Sequence, residues 1–371
     1  MKIAQISPLF ESVPPRLYGG TERIVSYLTE ELVNQGHEVT LFASGDSKTR
    51  ARLIPTVPRG LRLSSCTDFL APHIAQLHDI MQLADKFDIL HFHTDYLHFP
   101  VTEKLNIPCV TTLHGRLDIP ELKEIYRRFR SHKVISVSNS QRMPLKKASW
   151  IGTVYHGLPE SLLKKGQGKA GYLAFIGRIS PEKGVDRAIE IAIASQMKLL
   201  IAAKVDKTDQ NYFEDHIRPI MNHPLVEFIG EISDAQKSRF LGQAKALLFP
   251  INWSEPFGLV LIEAMACGTP VIAFNQGSVP EIVENNVTGY IVGTIEEAVL
   301  AVARIGQLSR SGVRQAFESR FTASRMASDY VKLYTSTIEN HQNDADAGVI
   351  QYSSFKSQKK EKKDYIVRFE D

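Results

Sequence analysis

Short, continuous runs of apolar and β-branched residues recur along the chain and constrain its fold more than any other feature. Runs without polar alternation are typical of strands that are covered on both faces. Amphipathic helical patterns lie between several of them, as in Val185, Ala188, Ile189 and Ala192. Strands and helices that alternate in this way predict an α/β fold built on doubly wound parallel sheets. The ten runs are residues 2–7, 38–43, 88–93, 109–114, 133–138, 172–176, 199–203, 226–229, 246–249 and 271–274.

A polar, glycine-rich segment, ESLLKKGQGKAG at residues 160–171, interrupts this alternation, and a new strand begins directly after it. A chain of 371 residues, at roughly 100–200 residues per domain, is expected to form two domains. Because open parallel sheets bind ligands beyond the carboxyl ends of their strands, the cleft between the domains is the expected binding site. The predicted units are a Rossmann-like domain at 1–160, a linker at 161–171, a second Rossmann-like domain at 172–321, a C-terminal helix at 322–340 and a disordered tail at 341–371.

The charge balance and the cysteines exclude several classes of protein. There are 44 Lys and Arg against 41 Asp and Glu, a net charge of +3, so nucleic acid is not an expected partner. Cys66, Cys109 and Cys267 form no CxxC pair, which argues against disulfides and zinc and favours a reducing compartment. The first residues lack a signal peptide's apolar core, so we expect a cytoplasmic protein. The basic stretch 126–133 allows peripheral membrane contact at most, with a solvated helix face as the alternative.

The most informative motif is EPFGLVLIE at residues 255–263. We expect a helix that starts at Glu255 and carries Glu263 roughly 12 Å further along its axis. The two carboxylates could then hold the two ends of an elongated polyhydroxyl ligand such as a sugar nucleotide. The free N–H groups near Phe257, Gly258 and Leu259 suit an anion or sugar hydroxyls. The alternative is an ordinary amphipathic helix with one capping carboxylate.

A second motif, FIGRISPEKG at residues 175–184, follows a strand and precedes an amphipathic helix. Arg178 and Lys183 flank its loop beside Gly177. A guanidinium and an ammonium together neutralise a diphosphate well. The loop is not a Walker A motif, since GxxxxGK[ST] is absent. The alternative is a surface loop with two ordinary basic residues.

Glycines and histidines also gather at the predicted strand ends. Gly19 and Gly20 lie between the first strand and the first helix, where they permit a close approach of ligand and backbone; a flexible turn is the alternative. No GxGxxG fingerprint follows this first strand. The strand-end histidines, each of which could face the cleft or simply pack, are His91, His93, His114 and His156.

No metal site or enzyme nucleophile is predicted. The HxH pair at residues 91–93 has no third ligand in a recognisable motif, and GxSxG is absent. The DxD-like string at 344–346 lies in the predicted tail.

Four motifs occur in a fixed order along residues 1–338: Gly-Gly after strand one, TLHG at 112–115, GR…EKG at 177–184 and the E(x7)E helix before ACGTPV. Together they resemble the retaining glycosyltransferases of family 4, the glycosyl transferases group 1, which have the GT-B fold. The resemblance implies transfer of a hexose from a UDP- or GDP-sugar to a hydroxyl acceptor, either a glycan, a lipid-linked sugar or a small molecule, without a metal or a cofactor. The alternatives are a sugar-nucleotide epimerase or phosphorylase on the same fold, and a catalytically silent nucleotide-sugar-binding protein.

The resemblance also implies roles for individual residues and a C-terminal helix that crosses back to the first domain. The catalytic set is His114, Arg178, Lys183 and Glu255. The donor-binding set is Gly19, Gly20, Gly177, Gly230, Glu231, Ile232, Phe257, Gly258, Leu259 and Glu263. The acceptor candidates, all in first-domain loops, are Tyr18, His93, Asp95 and Arg116.

Overall fold

A computed structural model describes residues 1–16 and 19–346 of the chain. Its first half contains a seven-stranded sheet in the order β3-β2-β1-β4-β5-β6-β7. All of its strand pairs are parallel. The strands are β1 Lys2–Ile6, β2 Glu38–Ala43, β3 Arg52–Pro55, β4 Ile89–Phe92, β5 Cys109–Thr112, β6 Lys133–Ser136 and β7 Trp150–Thr153.

The second half contains a six-stranded sheet in the order β10-β9-β8-β11-β12-β13, again with only parallel pairs. In both sheets the strand order reverses beside the first strand of that half, which opens a crevice at the carboxyl edge. The strands are β8 Tyr172–Arg178, β9 Lys198–Lys204, β10 Val226–Gly230, β11 Ala246–Phe249, β12 Val271–Phe274 and β13 Gly289–Val292.

Helices cover both sheets. They are α1 Gly20–Asn34, α2 Leu70–Met81, α3 Phe99–Thr102, α4 Leu122–Arg128, α5 Val185–Ala194, α6 Gln210–Tyr212, α7 Arg218–Met221, α8 Asp234–Gln243, α9 Leu259–Ala266, α10 Val279–Ile282, α11 Ile295–Arg304, α12 Arg310–Arg320 and α13 Ala323–Asp346. Within residues 1–16 and 19–346, no helix is both long enough and apolar enough to span a membrane.

The two parallel sheets with helices on both faces confirm the predicted doubly wound α/β fold. All ten predicted strands are present, but β3, β7 and β13 were not predicted. Each of these three is four residues long and lies at the edge of its sheet. Strands β3 and β7 are only partly covered, so their apolar patterns are weak, whereas β13 is mostly buried but very short.

Residues 154–171, which join the two sheets, contain no helix and a single bridge between Leu158 and Thr322. The long helix α13 then returns to the first sheet, where Tyr330 and Tyr334 are completely buried in one cluster with Ile3 and Ile24. The helix continues to Asp346, so residues 341–346 are helical and do not belong to a disordered tail. These polar residues continue a helix that the buried tyrosines already hold against the first sheet. The remainder of the predicted tail, 347–371, lies outside the described residues.

Candidate functional site

A cavity of about 800 Å³ lies between the two halves of the chain, at the carboxyl ends of the central strands. Its size is within the range of small-molecule sites. Most of the predicted site residues line it. They are Gly19, Gly20, His93, Asp95, His114, Gly177, Arg178, Lys183, Glu231, Ile232, Glu255, Phe257, Gly258, Leu259 and Glu263.

The N-termini of two helices, α1 and α9, meet at this cavity. A Cβ atom placed on Gly20 would lie 3.7 Å from Cδ1 of Leu259. Helix α9 follows Gly258, whose φ of +80° is a left-handed conformation that favours glycine. Among the described residues, no protein hydrogen bond uses the N–H groups of Phe257, Gly258 or Leu259. These donors are therefore available to an anionic or hydroxyl-bearing ligand.

The predicted helix start at Glu255 is wrong. Helix α9 begins four residues later, at Leu259, because the left-handed Gly258 cannot continue a right-handed helix. The N–H of Glu255 donates to the carbonyl of Trp253, and its own carbonyl accepts from the N–H of Ser278. Glu255 therefore reaches the cavity from a loop, and the expected spacing of two carboxylates along one helix does not apply.

Lys183 and Glu255 form an ion pair inside the cavity. Lys183 ends a short turn, Pro181–Lys183, that follows β8. Its Nζ lies 2.5 Å from Oε2 of Glu255 and 4.9 Å from the ring centroid of Trp253. The two charged side chains are mostly buried. Two of the predicted catalytic residues are therefore held against each other.

Arg178, at the end of β8, has three acidic neighbours. Its guanidinium nitrogens lie 2.6 Å from Glu182, 3.3 Å from Asp209 and 3.8 Å from Asp206. The Asp206 carboxylate also binds Lys204 at 2.9 Å. A diphosphate that binds to Arg178 must therefore compete with these carboxylates. The sequence motif did not predict this competition.

Glu263 also has a cationic partner. This carboxylate, on α9 and 4% exposed, accepts a hydrogen bond from Lys237 on α8 at 2.7 Å. Burial disfavours the charge of Lys237, but the attraction and hydrogen bond of Glu263, together with the attraction of Asp234, outweigh it and raise the pKa of Lys237. Arg23 on α1 forms an ion pair with Asp234 on α8 across the cavity.

Arg23, Asp234 and Lys237 were missed in the sequence. Arg23 lies three residues after the Gly19-Gly20 pair, which was a weak signal for its position. Lys237 and Asp234 occur in no recognisable motif, and their place in the cavity comes from the packing of α8 against α9.

His114, two residues beyond the end of β5, lines the cavity with its ring stacked on that of His156 at 5.3 Å. Burial lowers the pKa of His114 to about 3, so its imidazole is neutral. The expectation that His91 could face the cleft is wrong, because its side chain is completely buried under α13.

The acceptor candidates differ in their surroundings. Asp95 lines the cavity with a φ of +50°. His93 is 2% exposed, and both of its ring nitrogens already have protein partners. Arg116 forms a bidentate pair with Asp118 at 2.7 and 2.8 Å and is not among the residues that line the cavity. Tyr18 lies outside the described residues.

Two further parts of the cavity lie at the end of β10 and on the side of the first sheet. Gly230 ends β10 with a φ of +73°, and the next two residues, Glu231 and Ile232, line the cavity. On the side of the first sheet, the cavity has an apolar wall that the sequence did not predict, formed by Phe10, Phe69 and Leu70. Within the described ranges, no group of three or more His, Cys, Asp or Glu could hold a metal ion.

Comparison with known proteins identifies two sequence families along the chain. Residues 18–159 match "Glycosyltransferase Family 4" and residues 162–318 match "Glycosyl transferases group 1". The chain is 26% identical over 338 residues to an uncharacterized glycosyltransferase of Methanocaldococcus jannaschii, covering 78% of this chain and 84% of that protein.

Solved structures have the same fold. AviGT4, a glycosyltransferase involved in avilamycin A biosynthesis, has a TM-score of 0.72 at 25% identity, covering 91% of this chain and 98% of that one. Anabaena HepE in complex with UDP and glucose has a TM-score of 0.68 at 21% identity, covering 91% of this chain and all of that one. These matches confirm the resemblance that the motifs indicated. The chain therefore belongs to glycosyltransferase family 4, the glycosyl transferases group 1, whose members have the GT-B fold and transfer a sugar from a nucleotide sugar with retention of configuration.

Proposed function

We propose that this glycosyltransferase moves a hexose from a nucleoside diphosphate sugar to a hydroxyl acceptor inside the cavity between the two sheets. The observation that supports this most directly is that Lys183, Glu255 and Glu263 line the same cavity as the free N–H groups at the start of α9. Cations, carboxylates and unpaired backbone donors are the groups that a diphosphate flanked by two sugar rings requires.

The diphosphate is proposed to bind between Lys183 and the N-terminus of α9. The ammonium of Lys183 supplies a positive charge, and the N–H groups of Gly258 and Leu259 supply neutral donors. Arg178 adds a second cation once the phosphate has displaced part of its contact with Glu182. Gly19, Gly20 and Gly177 leave room for the phosphates beside the backbone.

The two sugar rings are proposed to lie on either side of the diphosphate. Glu255 and the N–H of Phe257 hydrogen-bond hydroxyls of the transferred hexose, and His114 contacts this sugar from the first sheet. Glu263 accepts hydrogen bonds from the ribose hydroxyls. The base lies against the backbone at residues 230–232, where the left-handed Gly230 turns the chain.

The chemistry follows from the charges that develop. As the bond from the anomeric carbon to the phosphate oxygen breaks, its electron pair stays on the leaving diphosphate. Lys183 and Arg178 stabilise that negative charge from fixed positions. The acceptor oxygen bonds to the anomeric carbon on the same face, and its proton passes to the leaving phosphate oxygen. The step therefore uses no enzyme nucleophile.

The acceptor is proposed to bind on the side of the first sheet. Asp95 offers a carboxylate to acceptor hydroxyls, and the apolar wall of Phe10, Phe69 and Leu70 offers a surface for a sugar ring or another apolar face. His93 forms a hydrogen bond with His114. Because both of its ring nitrogens already have protein partners, they are not proposed to contact the acceptor. Arg116 is proposed to act only at the outer rim.

We propose a cytoplasmic location, which the three free thiols of Cys66, Cys109 and Cys267 favour. Membrane contact is not required. In the basic stretch 126–133, Arg127 and Arg128 already pair with Glu124 at 2.7 and 2.6 Å.

The test is release of nucleoside diphosphate from a panel of UDP-, GDP- and ADP-hexoses, with and without simple glycoside acceptors. UDP-glucose is the first donor to try, because HepE was crystallised with UDP and glucose. Acceptor-dependent release supports the proposal. Interconversion of the donor without acceptor would indicate an epimerase, and a requirement for inorganic phosphate would indicate a phosphorylase. Tight donor binding without turnover on any acceptor would indicate a silent binding protein.

A further inference from the structure

A chain of buried hydrogen bonds starts at His114 and leads away from the cavity. Nε2 of His114 lies 2.9 Å from Nδ1 of His93. Nε2 of His93 lies 2.8 Å from Oε1 of Gln5, which is on β1 and completely buried. The cavity histidine is therefore connected, through one other ring, to the side-chain amide of the first strand.

From Gln5 the chain continues into the C-terminal helix. Nε2 of Gln5 lies 3.1 Å from the hydroxyl of Tyr334 on α13, and that hydroxyl lies 2.6 Å from Nδ1 of His91. Nε2 of His91 lies 2.7 Å from the hydroxyl of Thr112, which lies 3.0 Å from the hydroxyl of Tyr330. Six hydrogen bonds thus join His114 to two tyrosines that are completely buried under α13.

The amide of Gln5 sets the direction of the bonds toward the cavity. Its Oε1 can only accept, so the bond from His93 must come from Nε2–H. A neutral imidazole has one N–H, so Nδ1 of His93 accepts, and the bond between the rings is donated by Nε2–H of His114. Burial keeps the pKa of His93 well below its ordinary value, which favours the neutral form that this assignment needs.

The same amide sets the direction toward α13. Nε2 of Gln5 can only donate, so it donates to the oxygen of Tyr334, and the hydroxyl of Tyr334 donates to Nδ1 of His91. His91 then carries its hydrogen on Nε2 and donates to Thr112. His93, Gln5, Tyr334 and His91 thus each donate one bond of the chain and accept another, and the amide of Gln5 cannot turn over without reversing the bonds of the other three.

One atom at the cavity end lacks a partner. Nδ1 of His114 is buried and has no hydrogen-bond partner among the described residues. In the direction derived above this nitrogen carries a lone pair. It can therefore accept a hydrogen bond from a ligand hydroxyl but cannot donate one.

We propose that Gln5 and Tyr334 are positioning residues, which hold His114 in the Nε2–H tautomer so that its Nδ1 accepts a hydrogen bond from a donor-sugar hydroxyl. The sugar contact rests on the proposed function, whereas the tautomer does not. Both residues lie outside the segments that match the two sequence families, 18–159 and 162–318. Helix α13 thereby acts on the reaction through a hydrogen-bond chain as well as through packing.

The tautomer is measured directly by long-range ¹H–¹⁵N correlation spectra of the full-length protein with ¹⁵N-labelled histidine, His114 being assigned by His114→Gln. We expect Nε2–H in the wild type. Gln5→Met removes the acceptor that holds the hydrogen of His93 on Nε2, so the direction of the bond between the rings is no longer fixed and both tautomers of His114 should be populated. Tyr334→Phe removes the nearer acceptor of the Gln5 amide nitrogen and leaves only Nδ1 of His91, at 3.4 Å, so the amide is held less firmly and both tautomers of His114 should be populated.

The kinetic readout separates positioning from stability. With the donor that the nucleotide-sugar panel yields, Tyr334→Phe should lower kcat about tenfold and leave the affinity for the free nucleoside diphosphate within about twofold, since one neutral hydrogen bond is lost at a distance from the phosphates. The matched control is Tyr172→Phe, which removes another buried hydroxyl, bonded to the carbonyl of Phe240 at 2.6 Å. It should lower the melting temperature without changing kcat or the histidine spectrum.

Two results would overturn the inference: Nδ1–H at His114 in the wild type, or a His114 tautomer that neither Gln5→Met nor Tyr334→Phe changes in a folded protein. Both are read without substrate. A failure of the wild type to transfer any sugar would instead count against the proposed function, and is therefore distinguishable from a failure of the hydrogen-bond chain.

Discussion

The ammonium of Lys183 lies 2.5 Å from the carboxylate of Glu255, although 72 residues separate them in the sequence. One follows the first strand of the second sheet, and the other follows β11 from the same sheet. Since both side chains are mostly buried, the pair keeps each charge neutralised and each side chain in place before a ligand arrives. Such preorganised charges stabilise a transition state without having to move during the reaction.

Lys183→Met should reduce kcat/KM for sugar transfer about 100-fold or more, because a fixed cation beside the leaving diphosphate is lost. Release of nucleoside diphosphate in the presence of acceptor measures this. Lys198→Met is the matched control, since Lys198 also pairs with a glutamate, Glu227, at 2.6 Å but does not line the cavity. Equal activities of the two variants would show that Lys183 has no role in the reaction.

Glu263→Gln should weaken nucleoside diphosphate binding about tenfold, measured by calorimetry, because the ribose loses a charged acceptor. It should also lower the free energy of unfolding in urea by about 2 kcal/mol, since Lys237 keeps a buried charge with less compensation. The control is Glu227→Gln, whose exposed pair with Lys198 should contribute at most about 1 kcal/mol. Unchanged nucleotide affinity in Glu263→Gln would contradict the assigned ribose contact.

Asp209→Asn should strengthen the binding of a nucleoside diphosphate about two- to fivefold. It removes one of three carboxylates that hold the guanidinium of Arg178 and repel an incoming phosphate. Asp118→Asn is the control, because Asp118 pairs with Arg116 outside the cavity. Weaker binding in Asp209→Asn would mean that this carboxylate orients Arg178 toward the phosphate.

The raised pKa of Asp95 predicts that the stability of the protein depends on pH. Its side chain is open to the cavity, but the surrounding protein reduces the hydration of the carboxylate and raises its pKa from 3.8 to about 6. The folded state thus binds this proton more tightly than the unfolded state. The resulting stabilisation is complete below pH 3.8 and is lost as the pH rises through about 6.

Asp95→Asn should therefore melt at the same temperature as the wild type near pH 4 and at a higher temperature at pH 8. Thermal unfolding of both proteins across this range measures the difference. A difference that does not change with pH would show that Asp95 has an ordinary pKa.

The central strands and most of the cavity residues could be predicted from local sequence. Continuous apolar runs identify strands that are buried on both faces, and motif glycines beside basic residues identify the loop that brings Arg178 and Lys183 to the cavity. The edge strands β3 and β7 could not be predicted, because their side chains are only partly covered. Strand β13 is mostly buried, but its apolar run is only the three residues that follow Gly289.

Several parts of the site depend on packing between distant segments, which local sequence does not encode. Two of the three acidic neighbours of Arg178, Asp206 and Asp209, come from the loop after β9, and Lys237 reaches Glu263 from a neighbouring helix. Local sequence predicts a helix start at Glu255, since a proline at the next position is acceptable in a first helical turn. The left-handed Gly258 moves the true start to Leu259, and a glycine's φ cannot be read from its identity alone.

The most direct test of the account is the anomeric configuration of the product. The donor and acceptor found in the panel are incubated with the wild-type protein. The signal of the anomeric proton of the transferred hexose is then recorded by ¹H NMR from the start of the reaction. We predict that an α-linked donor yields an α-linked product, with one nucleoside diphosphate released for each sugar transferred. A β-linked product, or donor consumption without a glycosidic product, would contradict the proposed reaction.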